Sequence, residues 1–326
     1  MKTVLVSGAS GIVGYGVLRS LKKSHKQLNL IGTSIYDDSV APGFCDTFVQ
    51  APPTNDETYM RWLLDTINKY QVDLIIPGIE IDMFKWVEHV SEIEKTGAIA
   101  LLNNVELVQL CKDKWTFYEN LSKAGMPCAI VSTLSSEFDV LTSQLGLPFL
   151  LKPRRGFGSK GIVYVKTEEI FLKHQKNIGK ILMAQPIIGN DDEEFTISAF
   201  CDGLGGFFAN MTLRRKLSKD GFTEKATVVS TDEFNETMSD LCKRFRPIGP
   251  TNFQFRKSEK EIKLLEINPR ISSSTSIRAA FGYNESLMAV DYFLGHQTTL
   301  TQPEIKQGRA VRYIDEHIFY EDSIHL

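Results

Sequence analysis

The sequence predicts an α/β fold in its first third and an α+β arrangement in the rest of the chain. Strand and helix patterns alternate at short intervals up to about residue 102, which is typical of a parallel sheet with helices on both faces. After about residue 105, Asp113-Lys114 opens a predicted helix that runs to Ala124. The strands beyond it are joined by turns, around a glycine-rich loop at 154–161 and in a hairpin at 251–268. The chain of 326 residues has room for about two domains of roughly 150 residues each.

Hydrophobic runs and their flanking residues define the elements of the first third. Apolar runs predict strands at 3–7, 28–33, 73–77 and 98–102. Helical periodicity predicts helices at 12–23, 58–70 and 83–94. The lysines at the end of the first helix suit its negative C-terminal end. This order of elements is the reason for expecting parallel strands.

The turn after the first strand contains Gly8, Gly11 and Gly14, spaced as in extended epimerase-type dinucleotide-binding proteins. In that interpretation backbone amides and a helix N-terminus face a pyrophosphate. The alternative is that the glycines only permit a tight strand-to-helix turn, and two observations favour it. No Y-x-x-x-K follows any tyrosine, so an epimerase would lack its catalytic pair. Asp37 and Asp38 lie in a turn-like stretch where acidic residues are ordinary.

Composition excludes several classes of function. The chain has 37 Lys and Arg residues against 40 Asp and Glu residues, a net charge of −3. This balance offers neither a basic field for duplex nucleic acid nor a polybasic membrane signal. No signal-peptide pattern opens the sequence and no apolar run approaches the roughly 18 residues of a membrane span, so we expect a cytoplasmic protein. The 5 cysteines show no C-x-x-C spacing, which favours reduced thiols over a zinc site.

The glycine-rich segment at 154–161 lies between two strands. The strand Leu147–Pro153 carries Lys152 near its end, and a strand pattern resumes at 161–166. The order strand, loop, strand is that of a hairpin rather than of a Walker A motif, and the sequence contains no G-x-x-x-x-G-K-[ST]. A hairpin tip carrying Lys160 could close over phosphates with its backbone N–H groups. A charged surface hairpin is the alternative.

An apolar strand at 181–189 leads into the acidic run Asp191–Glu194, and an alternating strand follows at 195–201. Four carboxylates together are usually a solvated turn. Glu194, however, enters the strand, so its side chain has a fixed direction.

The strongest set of candidate residues lies between 251 and 270. Alternation over 251–255 and 262–268 predicts an antiparallel hairpin that brings Gln254, Glu266 and Asn268 onto one face. All three offer oxygen atoms, which Mg²⁺ prefers and shares with substrate phosphates. Arg270 continues the alternation, and its planar fork suits a phosphate oxygen. The alternative, an exposed polar edge, would more usually show Lys, Thr and Glu.

These residues resemble the ATP-grasp superfamily, and more narrowly its single-chain, carbamoyl-phosphate-synthetase-like carboxylate–amine ligases. The resemblance covers nearly the whole chain. It is carried by Asp113-Lys114, Leu151-Lys152-Pro153, Gln185–Gly189 with Glu194, and above all by Leu265–Arg270 preceded by Asn252–Gln254. It implies a Rossmann-like pre-ATP-grasp domain over 1–110 and a two-lobed ATP-grasp domain over 111–326, with a mobile lobe at about 148–183 and a C-terminal lobe at about 184–326.

The resemblance also implies a nucleotide site. The implied phosphate contacts are Lys114, Lys152, Gly156, Gly158 and Ser159. The implied adenine hinge comprises Gln185, Pro186, Ile187 and Ile188. Glu194 is implied to hold the ribose hydroxyls, with Asn252 also in the cofactor site.

For the reaction, the resemblance implies ATP with one or two Mg²⁺ ions, or Mn²⁺ in their place. Gln254, Glu266 and Asn268 are the implied metal ligands, and Arg270 and Lys152 the catalytic residues at the transferring γ-phosphate. A carboxylate would become an acylphosphate and an amine would then displace phosphate. This chemistry needs positioning and charge neutralisation rather than a Ser or Cys nucleophile.

The sequence departs from the carbamoyl phosphate synthetases in two respects. Those enzymes carry a second arginine where this chain has Ser273, and they are internally duplicated, so carbamoyl phosphate synthesis is disfavoured. Arg278 follows later as a candidate substitute. The basic cluster Arg214-Arg215-Lys216 follows a predicted strand at 207–213, and we expect it to contact a substrate carboxylate or the γ-phosphate.

The sequence thus predicts an ATP- and Mg²⁺-dependent ligase for a small carboxylate and an amine, with a homodimer as a candidate assembly. Two alternatives stay open at this point. One is an NAD(P)-linked epimerase or reductase built on the Gly8 loop. The other is a non-catalytic nucleotide-binding module, against which the complete metal and phosphate set argues.

Overall fold

The computed structural model describes residues 1–156, 160–259, 261–295, 297 and 299–320. Its first part alternates strands and helices, as the sequence predicts. The strands are β1 (Lys2–Val6), β2 (Leu28–Ser34), β3 (Thr47–Gln50), β4 (Leu74–Ile76) and β5 (Ile99–Ala100), and the helices are α1 (Ile12–Lys22), α2 (Tyr59–Tyr70), α3 (Glu80–Glu88) and α4 (Val90–Glu94). The strands form a parallel sheet in the order β3-β2-β1-β4-β5.

Two details of this sheet differ from the prediction. β3 was not predicted, because it is only half-buried and has no continuous apolar run. The helix predicted at 83–94 is interrupted at His89, which has non-helical dihedral angles between α3 and α4. From β1 the chain adds β2 and β3 on one side of the sheet and then β4 and β5 on the other, so the sheet has a topological switch point between β1 and β4. In open α/β sheets ligands bind at such a point, beyond the carboxyl ends of the strands.

Two helices, α5 (Val105–Cys111) and α6 (Lys114–Lys123), connect this sheet to the rest of the chain. The side chain of Asp113 accepts a hydrogen bond from the backbone N–H of Trp115 at 3.0 Å, so it caps α6 where the sequence predicts that helix to begin.

A small antiparallel sheet follows. It is built from β6 (Phe149–Pro153), β7 (Val163–Val165) and β8 (Leu182–Pro186), in the order β7-β6-β8, with helices α7 (Phe138–Leu145) and α8 (Glu168–His174). The core under it includes Leu141, Phe149, Leu151 and Phe171. The predicted hairpin around the glycine-rich loop is confirmed, because β6 and β7 pair directly.

The large sheet is antiparallel. Its strands are β9 (Glu194–Asp202), β10 (Phe207–Leu217), β11 (Thr223–Val229), β12 (Ile248–Lys257), β13 (Ile262–Asn268) and β14 (Arg309–Val311), and its helices are α9 (Asn235–Phe245), α10 (Thr275–Ala280) and α11 (Glu285–Leu294). The strand order is β13-β12-β9-β10-β11-β14. Parallel and antiparallel sheets in one chain confirm the predicted fold class.

The two faces of the large sheet differ in chemistry. One face carries Phe195, Ile197, Phe253 and Phe255 and packs in one apolar core with residues of α5, α6 and α9. The opposite face, here called the polar face, carries alternate residues of β9, β10, β12 and β13 that lie opposite one another across the strands. They are Glu194, Thr196, Ser198, Arg215, Asn252, Gln254, Arg256, Glu266 and Asn268. Several of these polar residues are buried, so the polar face is an interior surface rather than a solvated one.

The last described segment, which includes β14, returns to the first sheet. Residues 309–320, here called the C-terminal strap, begin as an edge strand beside β11 and place His317 against Phe44, with ring centroids 5.6 Å apart. The strap therefore connects the edge of the large sheet to the parallel-sheet part of the chain. In the described part of the chain, no helix combines the length and the apolar character that a membrane crossing requires.

Candidate nucleotide and metal site

The hairpin of β12 and β13 brings three of the predicted residues together. Gln254 lies directly opposite Glu266, and Asn252 lies opposite Asn268. The amide nitrogen of Asn268 donates to Oε1 of Glu266 at 3.0 Å. The predicted shared face of Gln254, Glu266 and Asn268 is therefore confirmed, and it presents oxygen atoms of two adjacent strands.

Cations converge on Glu266. Burial pushes the pKa of its carboxyl upwards, but Lys114, the Asn268 amide, Lys152 and Arg270 outweigh this and hold the pKa below its ordinary value. Glu266 is thus ionised at neutral pH although it is half-buried. Arg270 also pairs with the carboxylate of Glu80, so Lys114 and Lys152 are the cations available to a polyanion such as a triphosphate.

Lys152 is held near the end of β6. Its Nζ donates to the hydroxyl of Tyr118 at 3.2 Å and lies 4.7 Å from the centroid of the Tyr118 ring. The Tyr118 hydroxyl in turn donates to the carbonyl of Leu265. Burial, with the neighbouring Lys114 as the next cause, lowers the pKa of Lys152 to about 7. The position of Tyr118 was not foreseen, because its contact depends on packing between distant segments.

Lys114 lies at the base of the glycine-rich loop. Its Nζ donates to the carbonyl of Gly156 at 2.5 Å, and its backbone N–H donates to the carbonyl of Arg154 at 2.8 Å. Arg154 also forms an ion pair with Asp113 at 2.9 Å. The start of α6 is thereby fixed to the loop. Gly158 and Ser159, also predicted as phosphate contacts, lie outside the described residues.

The predicted hinge connects the small sheet to the large one. Gln185 is buried, and its Nε2 donates to Oγ of Ser132 at 2.7 Å. Pro186, Ile187 and Ile188 are half-buried, and Ile188 packs against the core of the large sheet. The segment therefore begins in the small sheet, offers the apolar side chains of Ile187 and Ile188, and leads to the large sheet.

Glu194 is buried between two arginines. Its Oε1 accepts from Nε and Nη2 of Arg215 at 3.2 and 3.0 Å, and its Oε2 accepts from Nη2 of Arg256 at 2.7 Å. Nη2 of Arg215 also donates to Oε1 of Gln254 at 2.6 Å. Arg256 was missed in the sequence, although the two-residue period through Asn252 and Gln254 points to it.

The side chains of the basic cluster Arg214-Arg215-Lys216 point to different faces of β10. We expected it at a strand end, but β10 continues to Leu217, so that expectation was wrong. Successive side chains of a strand point to opposite faces. Arg215 therefore lies on the polar face, whereas Arg214 and Lys216 are exposed, and Arg214 lies 3.9 Å from a carboxylate oxygen of Glu193.

Arg278 is fully buried behind the polar face. Its Nη2 donates to Oδ1 of Asn252 and to Oγ1 of Thr196, both at 2.9 Å, and it forms an ion pair with Glu285 at 3.3 Å. Its contacts with described residues make it part of the framework that holds Asn252. Asn252 is itself fully buried.

Arg270 reaches across to the parallel sheet. Its Nη2 donates to Oε1 of Glu80 at 2.5 Å, and its Nη1 donates to the carbonyl of Ile271 at 3.0 Å. Glu80 is the first residue of α3, just beyond the carboxyl end of β4. We did not single out Glu80 from the sequence, although its position after a parallel strand is a recognised signal.

The Gly8 turn is tightly packed. A Cβ on Gly14 would stand 2.4 Å from the carbonyl oxygen of Gly8, and a Cβ on Gly8 would stand 2.7 Å from the side chain of Ile79. Gly8 also has a φ of +57°, which favours glycine. The turn's own packing explains both glycines, and this favours the tight-turn interpretation over a dinucleotide site.

Comparisons with known proteins agree with this geometry. Residues 182–317 match the family described as "ATP-grasp in the biosynthetic pathway with Ter operon". The carbamoyl phosphate synthase large chain of Methanosarcina mazei is 22% identical over 290 residues, covering 83% of this chain and 27% of that one. The corresponding protein of Methanothrix thermoacetophila is 23% identical, with 80% and 26% covered. The chain thus spans about a quarter of the length of these relatives.

Solved structures show the same fold. N5-carboxyaminoimidazole synthetase from Staphylococcus aureus superposes with a TM-score of 0.71 at 18% identity, covering 93% of this chain and 80% of that one. A biotin carboxylase complex from Campylobacter jejuni gives a TM-score of 0.72 at 15% identity, with 94% and 74% covered. These comparisons confirm the resemblance: residues 182–317 match an ATP-grasp family, and most of the chain has the fold of these ligases.

Proposed function

We propose that this chain is an ATP- and Mg²⁺-dependent ligase, which activates a carboxylate as an acylphosphate and joins it to an amine with release of ADP and phosphate. The observation that carries the proposal is the convergence of Lys114, Lys152 and Arg270 around Glu266, next to Asn268. The ATP-grasp fold supports it, as do the complexes with ADP and with MgADP that are named for structural neighbours.

ATP would bind between the small sheet and the polar face. In this proposal the adenine lies at Gln185–Ile188, where Ile188 offers an apolar surface, and the phosphates lie near Lys114 and Lys152. Glu194 would receive the ribose hydroxyls. Because both of its oxygens already have arginine partners, a ribose hydroxyl would share this carboxylate with Arg215 or Arg256.

The donor set fits a hard divalent cation. Glu266 is ionised, and the side chain of Asn268 lies within hydrogen-bond distance of it. Gln254, which offers a side-chain oxygen, is the residue opposite Glu266 on the neighbouring strand. Mg²⁺ takes oxygen ligands and shares them with substrate phosphates, and Mn²⁺ has similar preferences. One or two bound ions would neutralise phosphate charge during transfer.

The protein's own residues would position and stabilise charge. A carboxylate oxygen of the substrate attacks the γ-phosphorus as the bond to the ADP oxygen breaks, and Arg270 and Lys152 stabilise the transferring group. The amine then attacks the acyl carbon, phosphate leaves, and the amine loses a proton. Arg215, on the polar face, is the substrate contact that we retain from the basic cluster.

The small sheet would act as the moving lobe. It has its own core and is joined to the large sheet through the predicted hinge after β8. We propose that residues 148–183 close over the phosphates, which excludes water from the acylphosphate.

The test is ADP release from the purified protein with ATP and Mg²⁺, screened against amino acids, peptides and sugar acids as carboxylates with a set of amines. We expect release for at least one pair, lost in Glu266→Gln and kept in Glu261→Gln, an exposed residue of the same hairpin. ATP binding without ADP release for any pair would favour a non-catalytic module. Binding of a nicotinamide cofactor instead of ATP would favour the oxidoreductase alternative.

A further inference from the structure

The C-terminal strap carries an arginine with a fixed guanidinium group. Nε of Arg312 donates to the carbonyl of Thr223 at 2.7 Å and Nη2 donates to the carbonyl of Ser273 at 2.5 Å. The backbone N–H of Arg312 donates to the carbonyl of Glu224 at 2.8 Å. Among the described residues Nη1 has no hydrogen-bond partner, and no carboxylate lies within ion-pair distance of this side chain. The group is thus held rigidly with donors to spare.

A second arginine lies nearby without a counter-ion. Arg19 of α1 stacks over the ring of Phe44, 5.6 Å from its centroid, and has no ion pair with a described residue. Phe44 also contacts Tyr15, at 5.9 Å between ring centroids. Burial lowers the pKa of Arg312; Tyr15 acts in the opposite direction and Arg19 in the same direction. The Phe44 ring under Arg19 also lies against His317 of the strap, with ring centroids 5.6 Å apart, so Arg19 borders the segment that carries Arg312.

Close packing fixes the elements that carry the two arginines. A Cβ on Gly16 of α1 would stand 3.0 Å from Cγ2 of Thr275, so α1 and α10 pack closely at this point. In the strap, the ring of His317 fills the space next to Gly43, where a Cβ would stand 2.3 Å from its Nε2. Arg312 and Arg19 are both half-buried and have no carboxylate partner among the described residues, so their guanidinium groups have donors available for an anion.

Arg312 is linked to the proposed substrate contact Arg215 through Thr223. Nη1 of Arg215 donates to Oγ1 of Thr223 at 3.4 Å, and Thr223 Oγ1 lies 2.8 Å from Oγ of Ser274. Arg312 and Arg215 thus contact the same residue, Thr223, from two sides. The anion would lie beyond Arg215, on the side away from Glu266, because Glu266 is on the opposite edge strand of the large sheet.

We propose that Arg312 and Arg19 bind an oxyanion, a carboxylate or phosphate group that the ligated substrate carries in addition to its reacting group. This inference rests on the proposed ligase function for the identity of the ligand, but not for the existence of the anion site. It assigns the substrate class: a molecule with a second negative charge.

The test is calorimetric titration of succinate, inorganic phosphate and neutral succinamide into wild type, Arg312→Gln and Arg309→Gln, with and without a saturating non-hydrolysable ATP analogue and Mg²⁺. Arg309 is an exposed residue of the strap, three positions before Arg312, and serves as the matched control. We expect at least one anion to bind wild type and Arg309→Gln equally, and Arg312→Gln about tenfold or more weakly, the loss of one charge-assisted hydrogen bond. The anion that binds more tightly shows whether the site takes a carboxylate or a phosphate group.

Three results would each overturn the proposal: equal anion binding by wild type and Arg312→Gln, binding of neutral succinamide as tight as that of the anions, or no anion binding by wild type. If Arg312→Gln does not fold, Arg19→Gln replaces it, with the same expected weakening. Failure of the ATP analogue to bind would instead contradict the proposed function, because the nucleotide-free titration still measures the anion site.

Discussion

Arg270 donates to Glu80 at 2.5 Å, and this contact joins the end of the hairpin of β12 and β13 to the first turn of a helix in the parallel-sheet part of the chain. The side chains are 15% and 20% exposed, so water screens the pair only in part. The contact fixes the guanidinium of Arg270 on the side of the polar face where Glu266 and Asn268 lie, since Arg270 also donates to Oδ1 of Asn268 at 3.3 Å.

Removing the charge of Glu80 tests this positioning role. We expect Glu80→Gln to lower kcat for ADP release on the order of tenfold, because Arg270 loses a charge-assisted partner, while KM for ATP changes little. Glu88→Gln, at the other end of α3 and paired with Lys112 at 3.1 Å on the surface, is the control. Wild-type kcat in Glu80→Gln would show that Arg270 does not need this contact.

Lys152→Met removes one charge and keeps the stem of the side chain. We expect ATP to bind about 10- to 150-fold more weakly, the equivalent of about 1.5–3 kcal/mol for one charge-assisted hydrogen bond. The melting temperature without nucleotide should not fall, because the buried charge is not paired with a carboxylate in the described structure. Calorimetric titration of ATP into both proteins measures the difference, with Lys166→Met, an exposed lysine after β7, as control. Equal dissociation constants would remove Lys152 from the site.

ATP affinity should depend on pH near neutrality. In the nucleotide-free protein burial lowers the pKa of Lys152 to about 7, and a bound phosphate would raise it by favouring the charged form. The affinity for ATP should therefore be highest below about pH 7 and fall as the pH rises from there towards the pKa of Lys152 in the complex. In this range, binding should be accompanied by proton uptake. Titration near pH 7.5 in buffers of different ionisation enthalpy measures this uptake, and Lys152→Met should abolish it. Uptake that persists in this variant would contradict the assignment.

Glu194→Gln should destabilise the large sheet. The side chains of Glu194 and Arg215 are 5% and 4% exposed, so removing the carboxylate charge leaves Arg215 without a carboxylate partner and Arg256 with only the exposed Asp191, at 3.1 Å. We expect a loss of about 3–5 kcal/mol in the free energy of unfolding, measured by urea denaturation. Glu193→Gln, whose partner Arg214 is exposed and 3.9 Å away, should cost less than about 1 kcal/mol. Similar small losses in both variants would show that the Glu194 network is not energetically coupled.

The sequence by itself determined the local geometry of the site. Gln254, Glu266 and Asn268 share a face because a short antiparallel hairpin follows from two-residue alternation on either side of a charged turn. The capped start of α6 at Asp113 and the hairpin around the glycine-rich loop are predictable for the same reason. In each case the partners lie close in sequence, so the pattern contains both sides of the contact.

Only the tertiary structure decided which distant residues meet this face. The length of β10 depends on pairing with β9 and β11, so the sequence could not show that Arg215 faces Glu194 while Arg214 faces away. The contact between Arg270 and Glu80 spans 190 positions, and Arg312 reaches Ser273 from the end of the chain. Such contacts result from the packing of whole sheets and helices, because no local periodicity relates a residue to a partner on another layer.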